Sequence, residues 1–266
     1  MAQIPISLVI ITLNEEHNIE RCIRSVPFAQ DVMVLDSGSS DRTLEIAKKL
    51  GARVKVEPWR GYQKQKMRVT ALALNDWVLS LDADEALSVE AQKEILVAWE
   101  NGLHEDGYEF PRLSYHMGRW IRHGGWYPDL QLRFFNRQKA TWSPGHVHER
   151  VITQKVGRFK SPLYHWVFQD LADQVNTNNE YSSLGALDLL QKKKSFSLFK
   201  LLTKPLSKFL ETYFWKRGFL DGLPGLVIAV GAAYSVFLKH AKHWEHQKIK
   251  RTPIPVSGMD DSKRDS

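Results

Sequence analysis

The chain has 266 residues, 43% of them hydrophobic, enough for one large α/β core or one core with an appendage. Its single cysteine, Cys22, excludes an internal disulfide framework and fits a reducing compartment such as the cytoplasm. The net charge of +7 is uneven: residues 192–251 hold 13 Lys/Arg against three acids, Glu211, Asp221 and Glu245, so the rest of the chain is slightly acidic.

Strand-like and helix-like stretches alternate through the first half. SLVIIT (7–12) reads as a buried strand rather than a leader, and EEHNIERCIRSV as a helix with acids in its first turn. DVMVLD is a second strand, and SSDRTLEIAKKLG a helix capped by serine or aspartate and closed by Gly51. ARVKVEP, QKQKMRVTALAL and DWVLSLD follow as strand, helix and strand, and SVEAQKEILVAWENG as a helix with its own serine cap. This order implies an α/β fold with a mostly parallel sheet covered on both faces. From about residue 108, YEFPRLSYHMGRW, LQLRFFN and ATWSPGHVHERV read as short strands of a smaller antiparallel extension.

A helix is expected from Asn176 to about Gln191, then a basic amphipathic helix over SFSLFKLLTKPLSKFLETYFWKRG, bent at Pro205. The apolar run Leu226–Leu238 has only 13 residues, whereas about 20 cross a bilayer. Extending it back over 219–238 takes in Asp221, Gly222 and Pro224, so peripheral or monotopic attachment is preferred to spanning. The expected organisation is a catalytic domain over 1–185, a helical membrane-associating segment over 186–251 and a disordered tail over 252–266. The basic residues accompany an apolar helix rather than the aromatic β region, which favours an anionic membrane surface over nucleic acid.

Parallel sheets bind ligands at the carboxyl ends of their strands, and three strands end there in polar residues. Asn14 and Glu15 follow the first, Asp36, Ser37 and Gly38 end the second, and Asp82 and Asp84 end the fourth. Two carboxylates at i and i+2 can hold a hard cation such as Mg²⁺, or merely cap the helix that starts at Ser88. Asp36 and the small residues after it can hydrogen-bond a ribose or base while the loop amides approach phosphate, or form an ordinary turn. No Walker or GxGxxG pattern is present, which argues against P-loop hydrolysis and hydride cofactors. His146, His148 and Glu149 offer a general base, a partial zinc site or a polar edge strand, and Asp129 is a competing base.

SLVIITLNEEHNI, VLDSGSSDRT, GYQKQK and WVLSLDADEAL, in that order over residues 5–90, resemble the family 2 inverting glycosyltransferases of GT-A fold. WYPDLQLRFFN, HVHERV and the basic apolar tail are similar to the bacterial lipopolysaccharide-core β-1,4-glucosyltransferase group, which acts on inner-core heptose. The resemblance implies that Asn14 and Glu15 lie in a nucleotide-contacting loop and that Asp36 meets the uridine. It implies that Asp82 and Asp84 hold Mg²⁺ or Mn²⁺, with Glu85 in support. It also brings Lys64, Gln65 and Lys66 toward the donor, although Met67 stands where relatives often have asparagine. UDP-glucose is then the favoured donor and a membrane-bound glycolipid on the cytoplasmic face of the inner membrane the acceptor.

Glu149, oriented by His148 or His146, is the favoured base for a single displacement with inversion, with Asp129 in reserve. Capsule, exopolysaccharide or polyprenyl-phosphate sugar synthesis are the enzyme alternatives. A haloacid-dehalogenase-like phosphatase shares the D-x-D pattern, but there it usually ends the first core strand, and here three predicted strands precede it.

Overall fold

The computed structural model describes residues 3–143 and 150–249. The described residues form two compact units: one from those up to Tyr115 together with those of Tyr127–Val167, the other from His116–Trp126 together with those of 168–249.

The first unit contains β1 (Ile4–Thr12), α1 (Ile19–Arg24), β2 (Ala29–Asp36), α2 (Thr43–Lys49), β3 (Arg53–Val56), α3 (Tyr62–Ala71), β4 (Trp77–Asp82), β5 (Glu85–Leu87), α4 (Val89–Glu100) and β6 (Gly107–His116). After β7 (Arg119–Trp120), which lies in the second unit, come β8 (Asp129–Asn136), β9 (Thr141–Trp142), β10 (Val151–Ile152), β11 (Val156–Arg158) and β12 (Leu163–His165). The sheet runs β3-β2-β1-β4-β8-β6-β12-β5. β1, β2, β3 and β4 are mutually parallel, while β8 joins β4 and β6 antiparallel. The expected parallel sheet with an antiparallel extension is therefore present.

Alternation along β1 divides the core between the two faces. Ile6, Leu8 and Ile10 pack with Ile19, Cys22, Phe28, Leu79, Leu81, Ile95 and Phe110 on one side. Val9 and Ile11 pack with Met33, Leu35, Val69, Val78, Phe135 and Trp142 on the other. One buried acid ties the far ends of the strands together: Asp31 accepts from Ser7 Oγ (2.7 Å), Arg53 Nε (2.8 Å) and the Leu74 amide (3.0 Å). Burial pushes the Asp31 carboxyl up, but the Arg53, Ser7 and Leu74 donors outweigh it and hold it below its ordinary value. At the start of α4 the Ser88 hydroxyl accepts from the Ala91 amide, which is the expected cap.

The second unit contains α5 (Leu171–Gln191), α6 (Leu198–Leu210), a π turn over Glu211–Trp215, a short 3₁₀ turn over Gly218–Asp221 and α7 (Gly222–Ile249). The sequence pattern predicts the start of α5 at Asn176. The helix instead starts at Leu171, where Asp170 accepts from the Asp173 amide (2.8 Å) and Asp173 accepts from the Gln169 amide (3.1 Å). α6 runs through Pro205 as continuous helix, and the change of pitch comes at the π turn. Asp221 is fully buried and accepts from the backbone amides of Arg122 (3.1 Å) and His123 (2.7 Å), fastening residues 119–123 to this unit.

Candidate active site

The registers set the predicted strand ends level: Thr12 of β1 is opposite Asp36 of β2, and Ile11 is opposite Asp82 of β4. The rim that sequence reading anticipated is thus a consequence of two parallel pairings.

On the β1–β2 side the loops brace each other. Asn14 takes a left-handed backbone (φ 56°), its amide donates to Ser39 Oγ (2.8 Å), and its Oδ1 accepts from the Ser40 amide (2.9 Å). Asp36 is fully buried; it accepts from Thr12 Oγ1 (2.9 Å), the Gly38 amide (2.7 Å), the Ser39 amide (2.8 Å) and the Ser39 hydroxyl. Gly38, at φ 107°, has a backbone that L side chains rarely adopt, so the Asp36 turn depends on glycine there. Ser37 accepts from Gln65 Nε2 of α3 (3.0 Å), and Gln65 Oε1 is buried without a partner among the described residues.

Ala83 and Asp84 form a two-residue turn between β4 and β5. Its backbone is held by the Trp166 amide, which donates to the Asp84 carbonyl (3.0 Å), and by Cys22 Sγ, 3.5 Å from the Asp82 carbonyl. Asp82 lies between two cations, Lys66 Nζ at 2.9 Å from Oδ1 and Arg133 Nη2 at 2.6 Å from Oδ2. Burial pushes its carboxyl up, but Arg133, then Lys66, outweigh that and hold it far below the usual carboxylate range. Asp84 is different. His165 Nε2 lies 3.3 Å from its Oδ2, while its Oδ1 is buried with no hydrogen-bond partner among the described residues. His165 is itself fixed, its Nδ1 lying 3.1 Å from Ser114 Oγ, and the register pairs it with Glu85 on β5 and Ser114 on β6.

Behind the turn, charges alternate. Glu85, fully buried, accepts from Arg133 (2.7 Å), from Arg112 (3.2 Å) and from the Asp82 amide (3.1 Å). Arg112 also makes two hydrogen bonds to Asp129 Oδ2 (2.9 and 2.6 Å), and Gln131 donates to the other oxygen (2.9 Å). On the open side Glu15 is pushed up to about 7, chiefly by burial; a hydrogen bond from Asn18 opposes this and the charges of Asp84, Asp41 and Asp82 add to it.

A buried, unpaired carboxylate oxygen beside an imidazole is a fit for a divalent cation, with Asp84 as the carboxylate ligand. No cluster of three or more acidic, histidine or cysteine side chains able to hold a metal occurs among the described residues, so donor oxygens from a ligand would have to complete its shell. Of the predicted residues, Asp82, Asp84, Asp129 and Lys66 belong to this constellation, and Asp36, Ser37, Gly38 and Gln65 to the adjoining loop. Lys64 is exposed. His146, His148 and Glu149 lie outside the described residues. Arg112, Arg133 and His165 were not anticipated. A signal existed for one of them: Asp129, Gln131 and Arg133 alternate along β8, which marks a polar face in an otherwise apolar strand.

The family model for glycosyl transferase family 2 matches residues 7–161. An uncharacterised glycosyltransferase of Rickettsia typhi is 36% identical over 255 residues, covering 89% of this chain and 86% of that one. The lipopolysaccharide core biosynthesis glycosyltransferase LpsC of Rhizobium meliloti is 29% identical over 94% of this chain and 96% of its own. Glucosyl-3-phosphoglycerate synthase of Mycobacterium tuberculosis, solved with Mn²⁺, UDP and glucosyl-3-phosphoglycerate, aligns at 28% identity and a TM-score of 0.33 over 42% of this chain and 44% of that one. The family match spans the strand-end rim, and relatives named as glycosyltransferases align along most of the chain: the protein belongs to glycosyl transferase family 2 and is a glycosyltransferase of mixed α/β fold.

Proposed function

We propose that this glycosyltransferase moves glucose from UDP-glucose, with inversion, onto the inner-core heptose of lipopolysaccharide at the cytoplasmic face of the inner membrane. The observation that carries the donor half is the unpaired Asp84 Oδ1 at the carboxyl rim of the parallel strands, where a cation-bound diphosphate has its carboxylate ligand. The acceptor half is supported by the similarity to LpsC over nearly the full length of both chains.

In this reading Asp84 and Asp82, with His165 beside them, hold Mg²⁺ or Mn²⁺. The bound cation supplies charge neutralisation for the departing diphosphate. Lys66, buried and paired with Asp82, is a point charge at the same place and can turn to phosphate. Asn14, Glu15, Asp36, Ser37, Gly38 and Gln65 shape the nucleoside end. Asp36 does so by organising the loop, since its oxygens already accept four hydrogen bonds. Glu149, with His148 or His146 orienting it, takes the acceptor proton; Asp129 is a strut whose oxygens accept from Arg112 and Gln131.

The test is transfer of labelled glucose from UDP-glucose to purified core oligosaccharide that lacks the hexose, with polyprenyl phosphate as the competing acceptor. Product on the core alone supports the proposal; product on polyprenyl phosphate alone removes the acceptor assignment.

A further inference from the structure

The 31-residue segment Gly218–Lys248 is long and apolar enough to cross a membrane, but its packing argues against crossing. α7 packs along both α5 and α6. Its seam with α5 is polar. Lys242 Nζ donates to the Asn179 carbonyl (2.7 Å), the Asn179 side chain (2.7 Å), Ser182 Oγ (2.8 Å) and Ser183 Oγ (2.7 Å). Gly231 brings the α7 backbone against Gln174 and Asn178, where an added Cβ would sit 3.1 Å from either amide nitrogen. For α7 to span, it must either leave these partners unpaired or carry α5 with it. α5 contains Asp173, Asn176, Asn178, Asn179, Glu180 and Asp188, which are costly in hydrocarbon.

α6 has the opposite character. Leu198, Phe199, Leu202, Leu206 and Leu210 fall within one third of its circumference and are 46–74% exposed. No residue of α6 is buried. Trp215, 86% exposed, follows at the end of the π turn beside exposed Lys216 and Arg217. Lys192, Lys193 and Lys194 precede the helix, and Lys200 and Lys204 are exposed on the side of α6 away from the stripe. From residue 192 to 217 there are eight basic residues and one acid, Glu211, which is already paired with Lys208 (3.2 Å) and Lys216 (2.6 Å). An apolar stripe on a helix with a net excess of cations, preceded by a lysine run and followed by a tryptophan and a basic pair, complements an anionic bilayer surface.

We infer that α6 is an in-plane docking helix, inserting Leu198, Phe199, Leu202, Leu206 and Leu210 into the acyl boundary of an anionic leaflet while α7 stays outside the hydrocarbon as the spine that holds it. This deepens the membrane reading given under the proposed function and rests on it only for the purpose of docking. The lysines select anionic lipid, the stripe supplies retention, and binding therefore weakens with salt without vanishing.

The test is flotation of the full chain with vesicles of phosphatidylcholine alone or mixed with phosphatidylglycerol. Three variants are compared: Phe199→Glu/Leu202→Glu/Leu206→Glu in α6, Lys200→Gln/Lys204→Gln, and Val230→Glu/Phe237→Glu on the exposed side of α7. The expected result is preference for the anionic vesicles, at least a ~10-fold loss of binding for the α6 triple variant, a smaller loss for the lysine pair and near-normal binding for the α7 pair. Far-UV circular dichroism and thermal melting report whether each variant is folded. Loss confined to the α7 pair overturns the inference in favour of insertion through α7. Unchanged flotation of a folded α6 variant that converts a dimer to a monomer overturns it in favour of an interface between copies. A Mn²⁺-dependent UDP thermal shift on the same samples separates the two readings, because it reports the donor site whatever the flotation result.

Discussion

A single nitrogen, Arg133 Nη2, donates to both Asp82 (2.6 Å) and Glu85 (2.7 Å), so one buried guanidinium couples the end of β4 to the start of β5. The Ala83–Asp84 turn is therefore held from behind by an arginine on the antiparallel strand β8. Burial lowers the tendency of Arg133 to stay charged, but Asp82 and Glu85 more than restore it.

Removing Arg133 leaves two carboxylates facing each other with one cation fewer. Arg133→Met is expected to cost about 3–5 kcal/mol of unfolding free energy, read from urea denaturation. Adding Glu85→Gln should recover a substantial part of it, because the double variant no longer buries an uncompensated charge there. Additive losses would mean that the two side chains do not act as a unit.

His165 touches Asp84 and is steadied by Ser114, the arrangement that orients a carboxylate–imidazole pair toward a cation. His165→Ala should lower Mn²⁺ affinity about 10–100-fold, measured by the Mn²⁺ electron paramagnetic resonance signal in the presence of UDP. Ser114→Ala should have a smaller effect in the same direction.

Glu149→Gln should reduce transfer roughly 10²–10⁴-fold while leaving the Mn²⁺-dependent UDP shift unchanged. Asp129→Asn should keep the pH profile of transfer and lower stability, since it loosens Arg112. A shifted pH profile in Asp129→Asn, with full activity in Glu149→Gln, would exchange their roles.

Away from the site, Asp31 provides a pH-dependent contribution whose sign follows from its depressed titration. A carboxyl held lower in the folded chain than in the unfolded one adds stability above its ordinary value of 3.8, and that stability is lost as the pH falls through the folded value. Asp31→Asn should therefore be destabilising by about 1–3 kcal/mol at neutral pH, and the deficit against the unaltered chain should shrink in denaturation curves taken below pH 4.

The parallel half of the fold is readable because β1, β2 and β4 are short, largely apolar runs ending in a polar residue and β3 alternates, and the level registers at Asp36 and Asp82 follow from parallel pairing. The cationic side of the site was harder to see. Arg112, Arg133 and His165 reach the turn from antiparallel and late strands, and only the registers, Arg112 against Asp129 and His165 against Glu85, bring them together. A lone charge in a short strand carries no label for which acid it will meet. The start of α5 was missed for a local reason: Asp170 and Asp173 cap each other's turn, a signal present in QDLAD but obscured by its polarity. In α6 the apolar and basic residues are evident in the sequence, but not which of them are exposed: Leu201 and Phe209 are partly buried, and Leu202, Leu206 and Leu210 lie on the exposed stripe.

The central claim is that Asp84 presents its unpaired oxygen to a cation that carries a nucleotide-sugar diphosphate. Isothermal titration of UDP-glucose into the unaltered chain and into Asp84→Asn, each with and without Mn²⁺, tests it most directly. The account predicts Mn²⁺-dependent binding that disappears in Asp84→Asn at unchanged melting temperature; equal Mn²⁺-dependent binding by both chains would contradict it.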